Sequence, residues 1–200
     1  QAILFNGTEP QKAEWLPKMA SGEVTASFAL TEPQAGSDAG ALTTKARKES
    51  DGYLINGQKC YITNAPEADV FVVMARTDPE TTNAKGISAF IVPSDTPGIE
   101  VATWDRKLGN HGSHTAQIFF DDCRVDTSNL LGGTEGQGFK NAMAGINVAR
   151  MHVAAMDQPE SSGERFIASA GDVSMVELAR LLAEEYPDRK ISTRKAPDFL

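Results

Sequence analysis

Ala26-Ser27-Phe28-Ala29-Leu30-Thr31-Glu32-Pro33-Gln34-Ala35-Gly36-Ser37-Asp38 joins an alternating apolar run to a cluster of hydroxyls, an acid and a glycine. Ala26, Phe28 and Leu30 alternate with Ser27, Ala29 and Thr31, the period of a half-buried strand. Pro33 ends the run because it cannot donate to a β ladder. Beyond it Gly36 lets the backbone approach a ligand, and Thr31 and Ser37 offer neutral donors for a carbonyl, a ring nitrogen or a phosphate oxygen. The stretch reads as a strand feeding a binding loop. An ordinary strand exit would use the same turn-forming residues.

Working outward, the segment from Val24 to about Val125 carries β signals. Within Tyr53 to Ile62 the dipeptide Asn56-Gly57 is the strongest short-range hairpin signal in the chain. Apolar runs at Val70 to Ala75, Ile87 to Val92 and Ile118 to Phe120 are separated by turn-rich segments such as Asp78-Pro79-Glu80 and Pro93 to Gly98, a spacing that predicts a compact sandwich or barrel. Lys45-Ala46-Arg47-Lys48 reads as a solvated strand face. Upstream, Glu9 to Met19 predicts a short helix with Pro10 in its first turn, Trp15 as an anchor and Gly22 as a stop. Downstream, Thr134 and Gln137 have capping-box spacing, and Phe139, Met143, Ile146 and Val153 form a helical stripe. Arg150 falls on that stripe, where it either faces a carboxylate or ligand or snorkels to water. The tail predicts a turn and short strand over 160–169, then a helix opened by a capping box at Ser174 and Glu177 and ended by Pro187. The expected fold class is α+β: a mainly antiparallel β barrel or sandwich with an N-terminal helix, a following helix and a small C-terminal strand-helix unit. The expected divisions are 1–22, 23–132, 133–157 and 158–200.

Composition narrows the function. A chain of 200 residues, 40% hydrophobic and 23% charged, can bury a substantial core. A net charge of -8 and a pI near 4.9 disfavour nucleic acid and anionic membrane surfaces as partners. Cys60 and Cys123 lack metal-type spacing and read as reduced packing cysteines, with a single bridge as the alternative. No apolar run approaches membrane-spanning length and no signal-peptide pattern opens the chain, so a soluble protein is expected. His111, His114 and His152 are isolated, and no metal site is expected. No glycine-rich dinucleotide fingerprint is present. Tyr186 and Lys190 have a Tyr-x-x-x-Lys spacing, but Pro187 intervenes in the helix that would align them.

Thr31-Glu32-Pro33 followed by Ala35-Gly36-Ser37-Asp38 resembles the signature of the acyl-CoA dehydrogenase family. Asn56-Gly57-Gln58-Lys59 with Tyr61-Ile62-Thr63-Asn64 is similar to that family's second flavin-contacting strand. Lys107-Leu108-Gly109 with Gly112, Ser113 and Thr115 is similar to its later middle-domain motif. The likeness continues through Phe119 to Asp122, Asn129 to Gly132 and Gly136 to Phe139, and covers roughly residues 5 to 150.

That resemblance implies FAD as cofactor, an acyl-CoA substrate and an oligomeric parent in the cytoplasm or the mitochondrial matrix. It implies that 1–22 is the remnant of an N-terminal helical domain and that 133–157 opens a C-terminal helical bundle. By the same resemblance Thr31 meets the flavin's pyrimidine edge, Thr63 its N5 region, Phe28 and Leu30 supply backbone and apolar contacts, and Tyr61 stands where the family often has tryptophan. Ser37 would meet the diphosphate or the acyl-CoA, and Arg150 the substrate. Some members carry their catalytic glutamate one residue before that arginine, where this chain has Ala149. Glu32 would shape its loop and not act as base, so a flavin-binding fragment without a catalytic base is expected. From about residue 148 the tail resembles extended short-chain dehydrogenase/reductases of the dihydroflavonol-reductase type, which implies a chimera. A non-enzymatic module or an NAD(P)-dependent reductase fragment are the alternatives.

Overall fold

The computed structural model describes residues 2–143. Two helices, α1 (Ala2–Asn6) and α2 (Glu9–Ser21), precede seven strands: β1 (Ala26–Ala29), β2 (Lys45–Lys48), β3 (Gly52–Thr63), β4 (Val70–Arg76), β5 (Ile87–Pro93), β6 (Ile99–Val101) and β7 (Thr115–Asp126). A further helix, α3, begins at residue 138 and continues through the last described positions. The α+β expectation stands for these residues. The predicted C-terminal strand-helix unit lies outside them, as do Ile146, Arg150 and Val153.

α2 forms where the sequence places it. Thr8 caps it in a reciprocal box with Gln11, Pro10 sits in the first turn, and Gly22 closes it in the left-handed region at φ 79°. The spare hydrogen-bonding capacity of Gln11 ties the helix to the far end of the sheet. Its amide donates to Ser128 O at 2.8 Å and Leu130 O at 2.9 Å, and its oxygen accepts from Gly132 N at 3.1 Å.

The sheet is mixed. β3 and β7 form its long antiparallel spine, β6 extends β7, and β2 pairs antiparallel with β3. β4 pairs antiparallel with β5 but in parallel with β1, and touches β2 at Arg76. The continuous apolar runs of β4 and β5 follow from burial on both faces. Phe71, Val73, Ala75, Phe90 and Val92 enter one core with Tyr53, Ile55, Ile118, Phe120 and Val125. Val70, Val72, Met74, Ile87, Ala89 and Ile91 enter a second core against Ile3, Trp15, Leu16 and Phe139 from the helices. Each large side chain so buried contributes about 1.5–3 kcal/mol.

Three local expectations are corrected. The dipeptide Asn56-Gly57 makes no turn, for β3 runs unbroken through it. Asn56 is held across the sheet by Asp122, donating to its carboxylate and accepting from its backbone N–H, both at 2.9 Å. Gly57, at φ 149°, marks a register shift, and a Cβ there would lie 2.6 Å from the Thr44 hydroxyl oxygen. The residues that suit a tight turn here serve a bulge and a close approach. In β1 the phase is inverted: Ser27 and Ala29 are buried while Ala26 and Phe28 face out. Ser27 is admitted because its hydroxyl donates to Thr63 O at 2.6 Å. The Thr134–Gln137 capping box is absent too, because α3 starts at residue 138, with Gln137 O accepting from Asn141 N. The basic cluster at β2 is solvated as expected, with only Ala46 buried.

Candidate functional site

β1 and the residues just after it lie beside β3 without a ladder between them, joined by single bonds. Ser27 Oγ donates to Thr63 O, and Cys60 N donates to Thr31 O at 2.9 Å. Along this seam the bonds align Thr31 with Cys60, the residue before Tyr61, and Ser27 with Thr63. Between Lys59 and Ile62 the β3–β7 register slips, and Tyr61 sits in that bulge at φ 57° with 71% of its surface exposed. A left-handed tyrosine costs about 1–2 kcal/mol. A bulge at this place re-aims a side chain. Asn64, also left-handed at φ 58°, ends the strand, its N–H bonded to His114 O.

Of the expected site residues, Thr31 is held through its carbonyl by Cys60 N–H and Thr63 through its carbonyl by the Ser27 hydroxyl, at either end of the β3 stretch that contains Tyr61, and Phe28 is exposed on β1. Leu30 points the other way, buried at 8% exposure in the second core. Ser37 is exposed on the following loop, and among the described residues no side-chain hydrogen bond ties it to the seam. Arg150 lies outside the described residues.

Beneath the seam lies an ion pair that sequence reasoning did not find. Lys59 Nζ reaches Glu32 Oε1 at 2.8 Å and Leu30 O at 3.0 Å, with both side chains almost wholly buried. Glu32 also accepts from the Thr43 backbone N–H at 2.6 Å, the Thr43 hydroxyl at 3.0 Å, Thr44 N–H at 3.0 Å and Gln34 Nε2 at 2.6 Å. Burial by itself would raise the Glu32 pKa, but the Lys59 charge and these donors outweigh it and hold the carboxyl down at about 2. Burial lowers the Lys59 ammonium to about 8 against the opposing pull of Glu32. The only sequence signal was a lysine inside a strand pattern, which usually means a solvated face.

On the far flank Trp104 stacks on His114 with ring centroids 4.6 Å apart and planes 8° from parallel, and His114 Nδ1 meets Glu67. Thr115, opposite Thr63 in the register, donates to Asp105 at 2.8 Å. These contacts join positions 10 to 47 residues apart, so no local motif announced them. Cys60 and Cys123 are free and buried, and burial pushes the Cys123 thiol up to about 11. No cluster of metal-binding side chains occurs among the described residues. The seam thus offers neutral donors and an aromatic wall on a rigid strand platform, a surface suited to holding a flat, polar-edged ring.

A mixed-sheet half-barrel with few helices is the architecture of an acyl-CoA dehydrogenase middle domain. Residues 27–123 match the family model for the acyl-CoA dehydrogenase middle domain. An acyl-CoA dehydrogenase of Bacillus subtilis is 49% identical over 153 residues, covering 76% of this chain and 40% of that protein. The acyl-CoA dehydrogenase of Geobacillus kaustophilus superposes with a TM-score of 0.73 at 36% identity, covering 99% of this chain and 48% of that one. A glutaryl-CoA dehydrogenase of Mycobacterium smegmatis, solved in complex with FADH2, gives a TM-score of 0.69 at 32% identity over 98% of this chain and 44% of that one. The chain therefore spans less than half the length of these relatives. The reductase likeness expected for the tail, and the chimera it implied, find no support in these matches.

Proposed function

We propose that this chain is the flavin-binding part of an acyl-CoA dehydrogenase, an oxidoreductase acting on the CH–CH bond of acyl-CoA thioesters, with FAD seated on the β1–β3 seam. The observation that carries the reading is the bulge at Tyr61. A strained, largely exposed aromatic beside two threonines is an arrangement that folding alone does not call for. FAD would accept a hydride from the substrate's β-carbon.

The chain's own residues do the holding. The Thr31 hydroxyl donates to the ring's pyrimidine edge and Thr63 faces the N5 region. Tyr61 walls the ring and shields it from water, with Phe28 alongside. Leu30 contributes through its backbone, since its side chain is turned inward. Ser37 meets the diphosphate or the acyl-CoA, and Arg150 contacts the substrate. Glu32 does not serve as the base for the α-proton, because both of its oxygens are engaged by buried donors. Binding without turnover is expected of the chain alone, its parent acting as a homo-oligomer in the cytoplasm or mitochondrial matrix.

FAD titration of the purified chain, followed by quenching of flavin fluorescence, tests the reading. Saturable quenching, lost when Thr31→Ala and Thr63→Ala are combined, is the expected result. A folded chain that leaves flavin fluorescence unchanged would sink it.

A further inference from the structure

Lys59 and Glu32 form the one ion pair among the described residues with both side chains buried, at 0% and 1% exposure. The pair stands at the neck of a loop. Glu32 and Ala35 exchange backbone hydrogen bonds at 3.2 and 3.0 Å where the loop leaves β1, and the Glu32 carboxylate takes the Thr43 and Thr44 N–H groups where the loop returns. Both ends of the stretch 33–43, which carries Ser37, are thus fastened to one residue, the outgoing end by its backbone and the returning end by its side chain. Lys59 fastens the other side: its ammonium holds Leu30 O, the carbonyl of the peptide leading into Thr31, while the next N–H along β3, that of Cys60, holds Thr31 O. Arg76 closes the loop from behind, donating to Gly40 O at 2.9 Å and Leu42 O at 3.3 Å.

We propose that Lys59 and Glu32 are positioning residues, setting Thr31 and the Ser37 loop against Tyr61 so that the seam is formed before its ligand arrives. The proposal rests on the flavin reading of that seam. A buried ion pair is a weak source of net stability, and an apolar pair of similar volume often replaces it at no cost to folding. An apolar pair cannot accept two backbone N–H groups from one strand start while donating to the carbonyl before Thr31. Geometry is therefore what the charges supply, and stability and positioning separate by experiment.

The test is the combined variant Glu32→Gln with Lys59→Met in the full chain, which leaves no buried charge unpaired. Thermal unfolding, amide hydrogen exchange and FAD titration are compared with wild type. Expected are cooperative unfolding close to wild type, exchange at least ten-fold faster at Thr43, Thr44 and Cys60 with no change at Val72 and Val73, and FAD affinity weakened ten-fold or more. Wild-type protection at those three amides overturns the proposal. A wild-type chain that fails to quench flavin, with the exchange contrast intact, refutes the flavin reading and leaves the positioning role standing. Should the combined variant fail to fold, Thr43→Val removes one donor from Glu32. Faster exchange confined to the amides of positions 43 and 44 then supports the role, and unchanged exchange overturns it.

Discussion

Tyr61 occupies a backbone conformation that favours glycine, and it does so on a strand where an extended tyrosine would have been comfortable. Replacing it should help the fold and harm the site. Tyr61→Gly is expected to raise unfolding free energy by about 1 kcal/mol in urea titration, by relief of the left-handed strain, while weakening flavin binding. Lys59 gives the opposite case. Lys59→Met alone strands the Glu32 carboxylate in the interior and is expected to cost about 3–5 kcal/mol, seen as a lowered denaturation midpoint. Thr31, Tyr61 and Thr63 could be proposed from the sequence because the motifs that carry the family resemblance are short and contiguous. Lys59 was not, because its partner lies 27 residues away and a lone lysine gives no sign of whether it meets water or a carboxylate.

At the level of elements, α2 and β4 were readable in advance and β3 was misread. The helix declares itself through Thr8, Pro10 and Gly22, residues whose capping preferences act within a single turn. The Asn56-Gly57 signal is just as local, but Asp122 and Thr44 converge on it from elsewhere in the sheet, and tertiary contact overrides turn chemistry. Gln11 shows how an element is fastened once formed. Gln11→Ala removes its bonds to Ser128, Leu130 and Gly132, and is expected to cost about 2–3 kcal/mol by thermal unfolding, chiefly through carbonyls left unpaired. The start of α3 is set by contact of another kind. A Cβ at Gly138 would stand 2.4 Å from the backbone of Ser88, so Gly138→Ala is expected to displace α3 from β5, lowering the melting temperature and raising near-ultraviolet spectral disorder.

For the whole molecule, acid stability turns on Glu32. Its carboxyl is held at about 2 in the folded chain against an ordinary value of 4.5. A depressed folded pKa means that the unfolded chain binds the proton first as pH falls. The stabilisation is whole above pH 4.5 and is lost on the way down to about 2. Urea midpoints are expected to fall through that window in the wild type, with a visibly shallower slope in the Glu32→Gln, Lys59→Met variant. The order in which the molecule is assembled follows from its long-range ladders. β1 has no partner but β4, reached across 44 residues, and β3 finds β7 only after a still longer excursion, from Gly52 to Asp126. Pairings so distant in the chain form slowly and late. The seam needs both, so the surface that would receive the ligand is completed near the end of folding, and a nascent chain carries its binding residues well before it has a place to use them.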